Sequence, residues 1–282
     1  MNIAKTVSTI TNPPIICIPL FLIISVVLAE GDINKFIVLE AISLIFSSIL
    51  PMAIILGWAK RLGTDRDISN RTDRFVPLIV GIISYFIGFL VSLALNVDMF
   101  MTILLLCYAI NTFIVMMITR RWKISIHTTG LSGPVGALIL LLGPWGAVLG
   151  VIFPILIWSR LTLNKHTMAQ AVYGGVQGFF LTVLEMFLIV DVFGISLNIH
   201  PLSSVIWLII AIIAAPVVLG VLSYADIKNR KIIFYATQAV SLIIFLMYAP
   251  SDATAILILN IIASVLVSLF SSKDYPWNQI LF

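Results

Sequence analysis

Residues 76–95 read VPLIVGIISYFIGFLVSLAL, twenty positions without a single charge. Wound as an α-helix, a stretch of that length rises about 30 Å, the thickness of the hydrocarbon layer of a bilayer. Working outward, apolar runs of the same kind recur at 15–29, 36–59, 99–119, 131–142, 145–158, 168–189, 203–223, 232–249 and 254–270. A soluble core protein would interrupt such runs about every ten residues. The chain is 61% hydrophobic and 10% charged, against about 25% charged in an ordinary soluble domain, so water is not its only solvent. The expected fold is all-α, a polytopic transmembrane helical bundle of about ten membrane segments.

The fifth and sixth runs are short, and Gly143-Pro144-Trp145-Gly146 between them is a turn signal. They read as a helical hairpin of short or tilted helices, with one long kinked helix as the alternative. No repeat, low-complexity tract or long polar linker divides the chain, so a single integral membrane domain over 1–282 is expected. Lys5, the apolar run from Ile15 to Leu28 and the small Ala29 superficially fit a cleavable signal. The long polar lead-in through Asn12-Pro13-Pro14 favours a retained first helix instead. Cys17 and Cys107 lie far apart within apolar runs and read as buried small hydrophobes, with no disulfide or metal pair indicated.

Ten crossings put Lys5, the loops 60–74, 120–127, 159–166 and 228–231, and Lys273 on one side, which collects 15 of the 16 Lys and Arg. Only Lys35 falls opposite, among Glu30, Asp32, Asp98, Asp191 and Asp252. The positive-inside rule then expects a multi-pass cell-membrane protein with both termini and the basic loops in the cytoplasm. A net charge of +4 held in those loops suits membrane topology and argues against nucleic acid as a partner.

Candidate chemistry lies in the same loops. Of three histidines, His200 stands alone on the expected outer side and reads as solvated or interfacial. His127 and His166 share the basic side, and each has groups a phosphate ester needs: Ser125 two residues before His127, and Ser159-Arg160 just ahead of His166. Taken singly, Arg71, Arg120, Arg121 and Lys123 read as headgroup anchors. Gly174, Gly175 and Gly178 read as close helix packing, compatible with bringing His166 near His127. Glu185, deep in the seventh run, reads as a satisfied interhelical hydrogen bonder or as a proton-path residue.

Three runs carry a family resemblance: Ser159-Arg160-Leu-Thr-Leu-Asn-Lys165-His166 leading into Gln170-Ala-Val-Tyr-Gly174-Gly175, then Ser125-Ile126-His127, then the loop from Asp65-Arg66-Asp67 to Arg74. Together they resemble the signatures of the type 2 phosphatidic acid phosphatase superfamily, which also includes vanadium haloperoxidases. The likeness covers roughly 60–180 as a phosphatase-like core, leaving 200–282 as additional transmembrane helices. Three positions depart from the family pattern. Ile126 replaces a glycine, Asp67 stands where a lysine is expected and leaves Arg66 or Arg71 to supply the charge, and Gln170 replaces an aspartate.

The resemblance implies a lipid phosphate phosphatase acting on a phosphatidate-like or polyprenyl mono- or diphosphate, with neither metal nor cofactor. His166 would be the nucleophile, His127 the acid for the leaving alkoxide, and Gln170 the group that orients His166. Arg160, Arg74, Ser125, Arg71 and Lys123 would hold the phosphate. Two alternatives remain open. One is a membrane prenyltransferase binding a Mg-diphosphate on acidic motifs, for which Asp65, Asp67 and Asp226 are the candidates. The other is a non-catalytic lipid-binding or transport protein of the same fold.

Overall fold

The structure is a computed structural model that describes residues 3–63, 68, 70–197 and 199–200. The expected segments at 203–223, 232–249 and 254–270 lie outside the described residues. So do Asp65, Arg66, Asp67 and Asp226, and the basic positions 228–231 and Lys273. Every regular element among the described residues is a helix.

Two short or bent helices open the chain: α1 (Ile3–Ile10) and α2 (Pro13–Ala29), which meet at 58° across Thr11-Asn12. Proline at the first turn of α2 costs no hydrogen bond, because the first N–H groups of a helix have no partner within it. Asp32 caps α3 (Ile33–Ser43), its Oδ1 accepting from the N–H of Asn34 at 2.8 Å and Lys35 at 3.2 Å. A π turn over Leu44–Ile49 joins α3 to α4 (Leu50–Leu62). Pro51, which has no N–H to return to the preceding turn, stands two residues after it. Gly63, at φ +61°, ends α4 in the left-handed conformation that glycine adopts without strain.

The longest uncharged runs give the plainest helices, α5 (Phe75–Ala94) and α6 (Met99–Thr119), an antiparallel pair whose second member is capped by Asp98 on the N–H of Phe100. They are followed by α7 (Ile126–Leu142), α8 (Pro144–Ala147), a 3-10 turn, α9 (Ile152–Thr162) and α10 (Met168–Phe193). Gly143 turns the chain between α7 and α8 at φ +60°. A Cβ at Gly146 would stand 2.3 Å from the Leu138 backbone, so the chain doubles back tightly at the expected hairpin.

Five helices are long and apolar enough to cross a membrane: Ile33–Leu62, Thr72–Ala94, Met99–Thr119, Pro144–Thr162 and Met168–Phe193. The bent pair α1 and α2 makes a sixth if counted as one span. Of the ten expected segments, seven fall among the described residues, where five or six helical spans are found. At 17 residues α7 rises only about 25 Å, short of a full crossing, and α2 reaches span length only together with α1. The coarser reading holds, a helical protein built to be multi-pass in a membrane.

The chain divides into two compact units, Met1–Ala137 with Ile152–Asn198, and Leu138–Val151 with Ile199–Phe282. In the first, the loop ends are tied in two groups. At one end Lys35 Nζ meets Asp98 Oδ2 at 3.1 Å, linking the first turn of α3 to the turn before α6. At the other end the basic loops before α5, before α7 and before α10 are bonded together, and they hold the candidate site.

Candidate active site

Arg74, at the foot of α5, is buried, and its guanidinium ties two loops. Nε donates to the Ile68 carbonyl at 2.8 Å and Nη1 to the Ile124 carbonyl at 3.3 Å. The α6–α7 loop is pinned in turn to the first turn of α10, where the Ser125 N–H donates to the Gln170 carbonyl at 3.2 Å. Glycine at 174 permits this closeness, since a Cβ there would stand 2.6 Å from the Ser125 carbonyl oxygen. Gly178 does the same one turn on, with Thr129 and Ser132 across from it.

His166 sits in the loop between α9 and α10 and is only 7% exposed. Its Nδ1 lies 3.2 Å from the Lys123 carbonyl. A carbonyl only accepts, so Nδ1 carries the proton and Nε2 presents its lone pair. Nε2 is buried and has no hydrogen-bond partner among the described residues. Burial pulls the imidazole pKa down from 6.5 to about 3, with the charges of Arg74, Arg160 and Lys123 adding to the effect and the Lys123 carbonyl opposing it. At neutral pH the ring is therefore an uncharged base surrounded by three cations.

His166, His127 and Arg74 line one cavity of about 120 Å³. His127 is buried one residue into α7. From this polar mouth the cavity runs down between helices, past Val115, Asn111 and Thr182, to Tyr85, Tyr108 and Cys17. Tyr108 lies 11 residues before the end of α6 at Thr119, so the cavity reaches about 16 Å below the loops.

The other expected site residues are placed differently. Gln170 forms a capping box with Thr167: its Oε1 accepts from the Thr167 N–H at 3.2 Å, and its own N–H donates to Thr167 Oγ1 at 3.3 Å. The Lys123 carbonyl, not Gln170, holds Nδ1 of His166. Ser125 is fully buried, and its Oγ accepts from the Thr128 N–H at 3.5 Å at the start of α7. Arg160 is 1% exposed and is bonded through Nη1 to Ser8 Oγ of α1 at 2.5 Å, while the neighbouring Ser159 Oγ donates to the Ala4 carbonyl at 2.7 Å. Its charge reaches His166, although Arg160 is not in the cavity wall. Arg71 is half-buried just before the 3-10 turn into α5, outside the cavity wall, and Lys123 acts on His166 through both carbonyl and charge.

Apart from Glu185, reasoning from the loops missed the polar groups inside the spans. Asn111 Nδ2 donates to Thr182 Oγ1 and to Glu185 Oε2, both at 3.1 Å, and Gln177 Nε2 donates to Asn111 Oδ1 at 3.2 Å. Glu185 is thus an interhelical hydrogen-bond acceptor, one of its two expected readings. An amide in the middle of an apolar run is the signal that flags such a network. His200 belongs to the second unit, where its N–H donates to the Leu140 carbonyl at 2.8 Å. Among the described residues no three His, Cys, Asp or Glu side chains group as metal ligands.

Set against known proteins, the chain matches no family model, no curated protein and no solved structure.

Proposed function

We propose that the protein is a phosphatase of lipid phosphates, embedded in the cell membrane with its site on the cytoplasmic face. The observation that carries this reading is the buried Nε2 of His166, deprotonated and without a hydrogen-bond partner among the described residues, in one cavity wall with Arg74 and His127.

Nε2 attacks phosphorus as the P–O bond to the lipid alkoxide breaks, and His127 as imidazolium gives that alkoxide its proton. Arg74 faces the nonbridging oxygens, with the charges of Lys123 and Arg160 behind it. Water then cleaves the phosphohistidine, returning Nε2 and releasing inorganic phosphate. The Lys123 carbonyl takes the orienting part that the resemblance gave to residue 170. It fixes the tautomer but brings no full negative charge to the imidazolium that develops on attack. The 15-to-1 distribution of basic residues supports the cytoplasmic face.

The test is phosphate release from a phosphatidate or a polyprenyl phosphate by the purified chain. His166→Ala is expected to reduce release to background, and His127→Ala to reduce it by about 10²–10⁴-fold. Equal release by wild type and His166→Ala would eliminate the histidine mechanism. Binding without turnover is the second reading, favoured by the engagement of Gln170, Ser125 and Arg160 in structural bonds. It predicts lipid phosphate binding with no release by any variant. An absolute requirement for Mg would point instead to the prenyltransferase alternative.

A further inference from the structure

Beside the histidine cavity lies a second space of about 400 Å³. The two have wall residues in common, for Asn12, Pro14 and Ile55 face both. From that junction the groove continues between the start of α2 and the α3–α4 span, past Ile18, Met52 and Ser48. Both walls lead away from the basic loops: Pro14 to Ile18 along α2 for about 6 Å, and Ile55 back to Ser48 along α4 and the π turn for about 10 Å.

Each wall carries an irregularity at this place. One is the 58° break between α1 and α2, the other the π turn Leu44–Ile49. Ile18 is 42% and Ile49 56% exposed, so the outer wall is open on an apolar side of the first unit. A phosphate held at His166 must leave its hydrocarbon somewhere apolar, and a groove that shares three wall residues with the cavity and has an exposed apolar outer wall meets that need.

We propose that this groove binds the hydrocarbon tail of the lipid phosphate, which leaves sideways into the bilayer between α2 and α4 while its phosphate occupies the histidine cavity. The inference rests on the lipid phosphatase reading above. It names the tail site of that reading, with Asn12 at the junction of headgroup and tail.

The experiment uses the full-length His166→Ala chain in lipid vesicles, with a phosphatidate that carries a photoreactive diazirine midway along one acyl chain. A phosphatidylcholine with the same chain serves as the comparison. Labelled positions are expected at 14–18 and 48–56, with the phosphatidate favoured at least about tenfold, the preference that one hydrogen bond to a charged group supplies. Ile18→Trp and Met52→Trp are expected to remove that labelling. Val26→Trp, on the 55% exposed outer face of α2, is expected to leave it intact. Equal labelling by both lipids, or labelling confined to other helices, overturns the tail site.

Phosphate release by wild type is read separately. Release with labelling elsewhere sinks the tail site alone, and groove labelling without release sinks the enzyme reading alone. Where release occurs, Ile18→Trp is expected to raise the KM for a long-tailed substrate relative to a short-tailed one by about tenfold, the loss of some two methylenes from the groove. An unchanged ratio overturns the proposal.

Discussion

Replacing Gly174 by alanine tests how the two histidine loops are brought together. The added Cβ would stand 2.6 Å from the Ser125 carbonyl oxygen and 2.5 Å from Thr128 Oγ1, both inside the 3.0 Å below which Cβ contacts essentially never occur. The Thr128 hydroxyl can turn aside. The carbonyl is backbone, and it already accepts from Thr128 Oγ1 at 3.0 Å and Thr129 Oγ1 at 3.1 Å, so α7 and α10 must part instead. Overpacking of this kind costs about 1–3 kcal/mol, or roughly 2–8 °C in melting temperature for a chain of this size. The displaced carbonyl lies two residues before His127, so phosphate release should fall with stability. Gly57→Ala is the comparison: nothing lies within 4 Å of its Cβ, and in the interior of α4 alanine should gain up to about 1 kcal/mol. Melting of both variants is followed in detergent. Gly174→Ala melting no lower than wild type would refute the close-approach account.

Gln170→Ala should lower melting by about 1 kcal/mol through loss of half the capping box, while changing phosphate release less than about tenfold. A loss as large as that of His166→Ala would return Gln170 to the reacting centre. The depressed His166 pKa has a definite sign in stability. Unfolded, the ring binds a proton near pH 6.5, and folded only near 3, so stability present above pH 6.5 is lost as pH falls towards 3. Between pH 7 and 5 the loss from this group is about 2 kcal/mol, and urea titration of His166→Ala should show a shallower fall than wild type over that range. Ser8→Ala removes a bond from buried Arg160 and should cost about 1–3 kcal/mol, read as earlier proteolysis of residues 3–12.

The spans at 76–95 and 99–119 were legible to within a residue, because an uncharged run of bilayer length has one good solution and Asp98 marks the start of the second. α1 was not, since eight mixed residues carry no span signal and its partner α9 is far along the chain. The pair His127 and His166 was legible because each stands in a loop rich in Lys and Arg, and such loops gather on one side of a membrane protein. The fates of Gln170 and Ser125 were not, for a Thr-x-x-Gln capping box and a serine at a helix start compete for the same side chains that a phosphate could use. Asn111 and Thr182 went unnoticed because a polar residue inside an apolar run does not name the helix it bonds to.

The bonds from α9 to α1 carry a demand on assembly. Ala4 waits for Ser159, which is synthesised 155 residues later. At about 5–20 residues per second, roughly ten to thirty seconds pass before the partner exists. During that interval α1, with Ile3 and Ile10 outward and Lys5 beside them, has to be parked among lipid headgroups. A bulky fusion ahead of residue 3, or translation slowed within α9, should therefore lower the yield of correctly assembled protein before it alters any step of turnover.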